Sequence, residues 1–382
     1  MRIYLDNAAT TSLREEVINV MTEVLKNNYG NPSSIHADGR SARALIEQAR
    51  KTVADRIGSS IGEVFFTSGG TESNNMALKC AVRDLGVKHI VTSKLEHHCV
   101  LHALETIEHS QDTKISFVQI DNKGRIDLND LEKILGESNQ KTMVTLMHSN
   151  NEVGTMIDLD EVADICDKHN ALFHTDTVQT MGYFPINVDK TKINFLTGSA
   201  HKFHGPKGVG FVYINGNNII KPLIDGGSQE RNMRAGTENI HGIVGLAKAF
   251  ELAVDNMDTY RDYISNLRSY LKNTLTEQFE DIQFNGDVDG RVHYKVLSVS
   301  FPASPKSDLL LLNLDILGIS ASGGSACSSG AEQGSHVLEA LNCDPSRKTI
   351  RFSFSHYNTI AEMDTLVEKL KTIIKVKETV KV

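Results

Sequence analysis

A lysine between two apolar runs is the residue best suited to chemistry in this 382-residue chain. It ends the polar stretch 197–202, which separates the apolar runs 193–196 and 209–214. Both runs have the composition of short buried strands. A lysine in such a connection is ordinarily a solvated charge. Ser199 and His201, however, can donate hydrogen bonds to an anion, and a desolvated lysine amine can form a Schiff base with an aldehyde.

We therefore hypothesise that Lys202 is the attachment point of pyridoxal phosphate. Such a site also needs a phosphate cradle, an acid for the pyridine nitrogen and a group that stacks on the ring. The predicted strand 64–67 runs into Gly69, Gly70 and Thr71 and then into a helix, whose first N–H groups and dipole favour an anion. A plain turn with a threonine cap explains the same residues, and the sequence contains no ATP or NAD motif there.

Two further positions could complete the site. Asp176 follows the apolar run 171–175, where open α/β sheets place ligand groups, although a helix cap is the alternative. His97, which precedes His98 and Cys99, could stack on a cofactor ring. A metal site is the alternative there, but adjacent residues on one turn cannot all face one ion, and no second ligand cluster stands at zinc spacing.

A second reactive group lies far along the chain. The stretch 320–330 is the segment richest in glycine and serine, and Cys327 stands within it. We expect this stretch to be a mobile loop, because small residues bury little surface and glycine is permissive. A cysteine in such a loop has no core to pack into, whereas Cys80, Cys166 and Cys343 are interpreted as inert packing residues.

The composition limits the possible partners and compartments. The net charge is −8 and the isoelectric point is near 6.0, which gives no reason to expect nucleic acid or an anionic membrane as a partner. The sequence shows no signal peptide, and no apolar run approaches the roughly 20 residues of a membrane span. Five cysteines at scattered spacings favour free thiols in a reducing compartment. We therefore expect a cytoplasmic protein.

The elements that must position these residues alternate between strand and helix from about residue 60 to 215. This order predicts an α/β fold with a mostly parallel central sheet covered by helices. An amphipathic helix is expected to begin near Ile240, and a helix over 260–279 leads to a second part of the chain. That part is predicted to be a smaller α+β domain. Its strands are expected near residues 296–301, 317–321 and 349–354.

Seven motifs in one order then carry a resemblance to a known family. They are LDNAATT from residue 5, GNPSS from 30, TSGGTESNN from 67, NNEVG from 150, SAHK from 199, RAGTEN from 234 and GSAC from 324. Together they resemble the NifS-type cysteine desulfurases over nearly the whole chain. The resemblance implies the fold type I architecture of pyridoxal phosphate enzymes, with a large cofactor-binding domain over 16–258. A small domain, formed by 1–15 and 259–382, would carry the cysteine loop at about 320–334.

The resemblance also implies an activity, a homodimer and a set of catalytic roles. The family converts L-cysteine to L-alanine and leaves the sulfur as a persulfide on the enzyme. Lys202 would bind the cofactor and move protons, Asp176 would keep the pyridine nitrogen protonated, and Gln179 would contact the ring's phenolate oxygen. His97 would stack on the ring and act as acid and base, and Cys327 would attack the substrate sulfur.

The remaining roles that the resemblance implies concern binding. Gly70, Thr71, Ser199 and His201 would hold the phosphate, and Thr237 would reach the phosphate in the neighbouring subunit.

Substrate contacts follow from the same resemblance. Asn151 would lie near both cofactor and substrate. Arg351 would pair with the substrate carboxylate through two parallel hydrogen bonds, and Asn31 is a further candidate for that carboxylate.

Several alternatives stay open at this stage. A selenocysteine lyase, an aminotransferase or another fold type I enzyme would use the same cofactor residues, and Cys327 is what favours sulfur transfer. A pyridoxal phosphate-binding scaffold without turnover is the non-enzymatic alternative, and a metal-binding protein is a more distant one. The expected sulfur acceptor is an iron–sulfur scaffold protein or another acceptor, for example in thio-cofactor or tRNA assembly.

Overall fold

The computed structural model of the chain describes residues 2–110, 112–304, 307–323 and 334–377. Within these residues the strands are β1 (Ile3–Tyr4), β2 (Val64–Thr67), β3 (His89–Thr92), β4 (Lys114–Phe117), β5 (Thr142–Thr145), β6 (Leu172–Asp176), β7 (Phe195–Ser199), β8 (Gly210–Ile214), β9 (Gln283–Phe284), β10 (Val296–Phe301), β11 (Ile319–Ser320) and β12 (Lys348–Ser353). The helices are α1 (Glu15–Asn27), α2 (Ala37–Ile57), α3 (Gly70–Leu85), α4 (His98–Ser110), α5 (Leu128–Gly136), α6 (Leu159–Lys168), α7 (Gln229–Asn232), α8 (Ile240–Asp255), α9 (Met257–Gln278), α10 (Leu310–Ile316), α11 (His336–Ala340) and α12 (Ile360–Leu370).

A seven-stranded sheet in the order β2-β8-β7-β6-β5-β3-β4 forms the centre of the fold. Its strands are parallel from β7 to β4, and β8 runs antiparallel to both β7 and β2. The prediction of a mostly parallel sheet is therefore confirmed. In the parallel register Asp176 lies opposite Thr197, so the carboxyl ends of β6 and β7 meet at one edge of the sheet. That edge is where open α/β sheets bind ligands.

The strand before Lys202 is longer than the sequence indicated. The apolar run ends at residue 196, but β7 continues to Ser199 because the backbone from Thr197 to Ser199 pairs with Val212, Phe211 and Gly210 of β8. A short 3-10 turn, Ala200–Lys202, follows directly. Lys202 is thus held one turn beyond a central strand.

Helices cover the sheet for the reasons that the sequence suggested. α2 buries one apolar face and ends at Gly58, whose φ of +69° is a conformation that favours glycine. α1 and α2 both pack against α8. Asp158 caps the N-terminus of α6, because its carboxylate accepts hydrogen bonds from the backbone of Asp160 and Glu161.

A smaller antiparallel sheet, in the order β12-β10-β9, forms the second part of the chain, with α9 packed against α12 and β10. The N-terminal strand β1 pairs with β11, far from it in sequence. This pairing supports the predicted division into residues 16–258 and residues 1–15 with 259–382, which stays a prediction. None of the helices in the described ranges combines the length and apolar character that a bilayer crossing requires.

A buried ion pair fixes the loop that precedes α8. Arg50 of α2 and Glu230 are both almost fully buried and form two hydrogen bonds, of 2.6 and 2.9 Å. Arg50 also donates to the carbonyl of Val64, and Glu230 accepts from the backbone N–H of Phe66. Glu230 has a φ of +44°, a left-handed conformation that is costly for a glutamate, so the ion pair holds a strained turn in place.

Glu230→Ala should destabilise the protein strongly, because it leaves the Arg50 guanidinium buried without its anion. We expect the free energy of unfolding to fall by about 3–5 kcal/mol in urea denaturation. The double variant Arg50→Met, Glu230→Leu should lose less than Glu230→Ala alone, since it removes both charges. A double variant that is less stable than the single variant would contradict this account.

Candidate active site

One cavity of about 260 Å³ collects most of the residues that the sequence singled out. It lies at the carboxyl ends of β6 and β7 and beside the N-terminus of α3. The predicted site residues that line it are Gly70, Thr71, His97, Asn151, Asp176, Gln179, Ser199, His201, Lys202 and Arg351. These residues come from six separated parts of the chain, and only the fold brings them together.

Three predicted site residues are not in this cavity. Thr237 is exposed and lines a separate pocket of about 170 Å³ together with Arg234 and Ser68. Asn31 is exposed in a loop, where its side chain accepts a hydrogen bond from the backbone of Ser33. Cys327 lies outside the described residues.

The anion-binding end of the cavity is built by the first turn of α3. Gly69 has a φ of +150°, and a Cβ atom on Gly70 would lie only 2.6 Å from the Val178 side chain, so both positions require glycine. Ser199 is buried at the adjacent end of β7. Backbone N–H groups at a helix N-terminus, with a nearby hydroxyl, are suited to a phosphate group.

His201 enters the same region as a neutral ring. Burial, with the nearby charges of Lys202 and Lys207, lowers the pKa of His201 to about 3. Its Nδ1 atom lies 3.2 Å from the hydroxyl of Thr10. His201 can therefore donate one hydrogen bond to an anion, but it brings no positive charge at neutral pH.

The amine of Lys202 is held beneath the N-terminal segment. Its Nζ atom donates to the carbonyl oxygens of Ala8 at 2.7 Å and Ala9 at 2.8 Å. The hydroxyl of Tyr183 donates to the Lys202 carbonyl, which fixes the backbone of the 3-10 turn. Hydrogen bonds thus hold both the backbone and the side-chain amine of Lys202, and the amine faces the cavity.

A buried hydrogen-bond network orients Asp176. Asn74 donates to the Asp176 carboxylate at 2.7 Å, and its own amide oxygen accepts from the hydroxyl of Thr197 and from His174. These two donors leave the Asn74 nitrogen as the group that faces Asp176. Sequence reasoning missed Asn74, although it lies four residues after Gly70 and therefore on the same face of α3.

His97 is a neutral base at the cavity wall. Burial lowers the pKa of its ring, although the Asp176 carboxylate opposes this effect. The backbone N–H of Cys99 donates to Nδ1 of His97 at 3.2 Å, so the proton of the neutral ring belongs on Nε2. The Cys99 thiol, which the sequence did not place here, lies 3.0 Å from the same nitrogen. Burial raises the pKa of Cys99 to about 12, which keeps it a thiol at neutral pH.

Arg351 is almost fully buried and already has two partners. One terminal nitrogen donates to the carbonyl of Asn151 at 2.7 Å, and the other donates to Asp6 at 2.9 Å. Its Nε atom has no hydrogen-bond partner among the described residues. The predicted pairing with a carboxylate would therefore use the N–H groups that these two contacts leave available.

The cavity residues fit pyridoxal phosphate. Buried polar atoms of three lining residues lack a hydrogen-bond partner within the described part of the chain, namely Gln179 Oε1, Glu152 Oε1 and Arg351 Nε. Such atoms are costly to bury, and a polar ligand would satisfy them. In the same ranges no group of three or more histidine, cysteine or acidic side chains is arranged to hold a metal ion.

The chain was then compared with known proteins. The family model described as aminotransferase class V matches residues 3–366. The chain belongs to this family. It is 43% identical to the cysteine desulfurase IscS of Dictyoglomus turgidum over 97% of this chain and 96% of the relative. Members of the family that act as cysteine desulfurases are pyridoxal phosphate enzymes.

Solved structures agree with this assignment. A NifS-like protein, 36% identical, superposes with a TM-score of 0.90 and covers 98% of this chain and 99% of that one. A structure described as SspA in complex with cysteine is 29% identical and has a TM-score of 0.81, over 94% of this chain and 100% of that one. The expected fold type I class is therefore confirmed.

One buried group near the site was not anticipated from the sequence. Lys295 is fully buried at the start of β10, and its Nζ atom lies 3.9 Å from the centre of the Tyr183 ring. Nζ has no hydrogen-bond partner among the described residues, and burial lowers the pKa of this amine well below its usual value. Lys295 thus places a buried amine against an aromatic face, without a hydrogen bond from the described residues.

Lys295→Met should stabilise the protein, because methionine fills a similar volume without an unsatisfied amine. We expect the free energy of unfolding in urea to rise by about 1–3 kcal/mol. Lys295→Ala is the control, and it should be destabilising since it leaves a cavity. A methionine variant less stable than the parent protein would mean that the amine forms a stabilising contact.

His174 should make stability depend on pH. Burial lowers its pKa to about 3, whereas in an unfolded chain a histidine titrates near about 6.5. Between these values the unfolded chain binds a proton that the folded protein does not. The free energy of unfolding should therefore fall as the pH is lowered, by about 1.4 kcal/mol per pH unit for this group.

The variant His174→Gln tests this effect, because it keeps a donor and an acceptor but does not titrate. Urea unfolding between pH 6 and pH 4.5 should show a pH dependence that is weaker by about one proton than in the parent protein. His109→Gln, at the exposed end of α4, is the matched control. An unchanged slope for His174→Gln would refute the assigned shift.

Proposed function

We propose that this protein is a pyridoxal phosphate-dependent cysteine desulfurase, which converts L-cysteine to L-alanine and transfers the sulfur to Cys327. The observation that carries the proposal is the convergence of Lys202, Asp176, His97 and Arg351 on one cavity. A carboxylate-binding arginine beside a cofactor-binding lysine suits an amino acid substrate. The cysteine desulfurase relatives, similar over the full length, support the same conclusion.

The described residues supply binding groups for each end of the cofactor. The first turn of α3, with Ser199 and His201, would hold the phosphate. Asp176, oriented by Asn74, would keep a proton on the pyridine nitrogen. When bound, pyridoxal phosphate supplies an aldehyde that bonds to an amine and a ring that stabilises negative charge at the substrate Cα atom.

The substrate would then be positioned and deprotonated by side chains of the same cavity. Arg351 would bind the carboxylate, and its contact with Asn151 would place the carboxylate near that residue. The amine of Lys202 would take the proton from Cα and return one to the product. His97, with its proton on Nε2, would exchange a proton with the substrate near the face of the ring.

The sulfur step needs no external oxidant or reductant. The thiolate of Cys327 attacks the sulfur of the substrate, the carbon–sulfur bond breaks, and its electron pair stays with the carbon, which then gains a proton. The products are L-alanine and a persulfide on Cys327, so the substrate sulfur ends bonded to the enzyme sulfur. A free thiol has a pKa of about 8.5, so a nearby base must take its proton.

The sulfur acceptor and the oligomeric state are also part of the proposal. The acceptor would be an iron–sulfur scaffold protein or another sulfur acceptor, and the protein would act as a homodimer. Ile35 and Ile219, which are 90% and 83% exposed, are candidate contacts of that partner subunit. The exposed position of Thr237 is consistent with a role toward a neighbouring subunit's phosphate.

One assay with two variants tests the function. Purified protein is mixed with L-cysteine and dithiothreitol, and alanine and sulfide are measured. Lys202→Ala should lose the visible absorbance of the bound cofactor and all activity, because no amine remains to bond the aldehyde. Cys327→Ala should keep that absorbance but produce neither alanine nor sulfide at a significant rate, because no thiol accepts the sulfur.

The outcomes separate the alternatives. Normal alanine and sulfide formation by Cys327→Ala would reject the assignment of the nucleophile. Turnover of selenocysteine without turnover of cysteine would identify a selenocysteine lyase. Cofactor absorbance in the parent protein without turnover of either substrate would identify a binding protein instead of an enzyme.

A further inference from the structure

Two serines flank the segment 324–333, which lies outside the described residues and contains Cys327. Ser322 precedes the segment and Ser335 follows it. Each serine hydroxyl donates a hydrogen bond to a carboxyl group from a distant part of the chain, and both carboxyl groups belong to the surroundings of the cavity. These two contacts are here called the serine–carboxyl pairs.

The first pair joins Ser322 to the N-terminal segment. The Ser322 hydroxyl donates to Oδ1 of Asp6 at 2.6 Å, and the same oxygen accepts from Arg351 at 2.9 Å. The backbone of Ser322 is also paired with that of Arg351, through an N–H···O bond of 2.7 Å. Because Ser322 is buried, these contacts fix its position relative to the arginine.

The second pair joins Ser335 to the loop after β5. The Ser335 hydroxyl donates to Oε2 of Glu152, and its oxygen accepts from the backbone of Leu338 at 3.1 Å, which caps α11. Glu152 is buried in the cavity wall and its backbone is held by Asn150, whose side chain accepts from the N–H of Glu152 at 2.8 Å. The start of α11 is therefore tied to the cavity by the Ser335 hydroxyl. The next residue, His336, lines the cavity as well, and its Nε2 atom lies 3.0 Å from the carbonyl oxygen of Glu96.

Arg351 links the two pairs. One end of its guanidinium binds Asp6 of the first pair. The other end donates to the carbonyl of Asn151, the residue next to Glu152 of the second pair. Arg351, which is proposed to bind the substrate carboxylate, therefore lies between the two serine–carboxyl pairs.

We propose that Asp6 and Glu152 are positioning residues for sulfur transfer, which act through Ser322 and Ser335 by fixing both ends of the segment that carries Cys327. The inference rests on the proposed function, since it concerns the step at Cys327. Attack on the substrate sulfur requires the thiol to meet it within bonding geometry, so the step is sensitive to where the segment begins and ends. Proton exchange at the substrate Cα atom makes no use of that thiol.

Because only sulfur transfer uses the thiol of Cys327, its rate can be compared with the rate of Cα-proton exchange. Ser322→Ala and Ser335→Ala each remove one hydroxyl without touching the residues proposed to bind cofactor or substrate. Ser335→Thr is the matched control, because threonine keeps both the hydroxyl donor and the helix cap. Two rates are measured on the cofactor-loaded protein: alanine formation from L-cysteine, and exchange of the Cα proton of L-alanine in D2O followed by NMR.

We expect each serine-to-alanine variant to form alanine from L-cysteine about threefold to tenfold more slowly, which corresponds to the loss of one hydrogen bond. The double variant should be slower than either single variant. Exchange of the Cα proton and the absorbance of the cofactor should stay within about twofold of the parent protein. Ser335→Thr should form alanine at close to the parent rate.

Three results would overturn the proposal. Parent-like alanine formation in both alanine variants would show that the pairs do not act on sulfur transfer. A parallel loss of Cα-proton exchange would place their effect on substrate or cofactor binding. A slow Ser335→Thr variant would show that the hydroxyl is not the group that matters. Failure of the proposed function is separate, since it would appear as full alanine formation by Cys327→Ala.

Discussion

The cavity depends on the burial of one permanent positive charge, the guanidinium of Arg351. A buried charge is tolerated only when it is paired and hydrogen-bonded, and two distant regions of the chain supply partners for the terminal nitrogens of this guanidinium. Asp6 comes from the N-terminal segment and the carbonyl of Asn151 from the loop after β5, while β12 carries the arginine itself. The large sheet, the small sheet and the N-terminus must therefore assemble together before the cavity exists, which couples the binding site to completion of the fold.

A second constraint lies at the floor of the cavity and works through neutral groups. Thr197 and His174 both donate to the amide oxygen of Asn74, so the amide can present only its N–H groups to Asp176. The parallel pairing of β6 with β7 places Thr197 opposite Asp176, and α3 then crosses above both. The orientation of one carboxylate is thus set by sheet register and helix position, which are properties of the whole fold.

The difference between local sequence signals and contacts across the whole fold explains what the sequence could and could not predict. Elements with strong local signals, such as β2 and β10, were predicted with their observed bounds. The motif residues Lys202 and Asp176 were recognised because glycine turns and strand ends mark them. The end of β7 was missed because pairing with β8, and not apolarity, extends it. The roles of Glu152 and Lys295 could not be predicted, since each depends on a contact with a residue more than 100 positions away.

Two buried basic side chains near the cavity differ in their surroundings. Arg351 pairs with the Asp6 carboxylate and the Asn151 carbonyl. Lys295 instead packs against the ring of Tyr183, and burial lowers its pKa well below the usual value. His97 and His201 resemble Lys295 in this respect, because burial lowers the pKa of each ring. The positive potential that an anionic cofactor and a carboxylate substrate would meet comes from Arg351, the amine of Lys202 and the N-terminus of α3. The backbone N–H groups of α3 bind an anion without gaining or losing a proton, so this part of anion binding is separate from the proton transfers that His97 is proposed to perform.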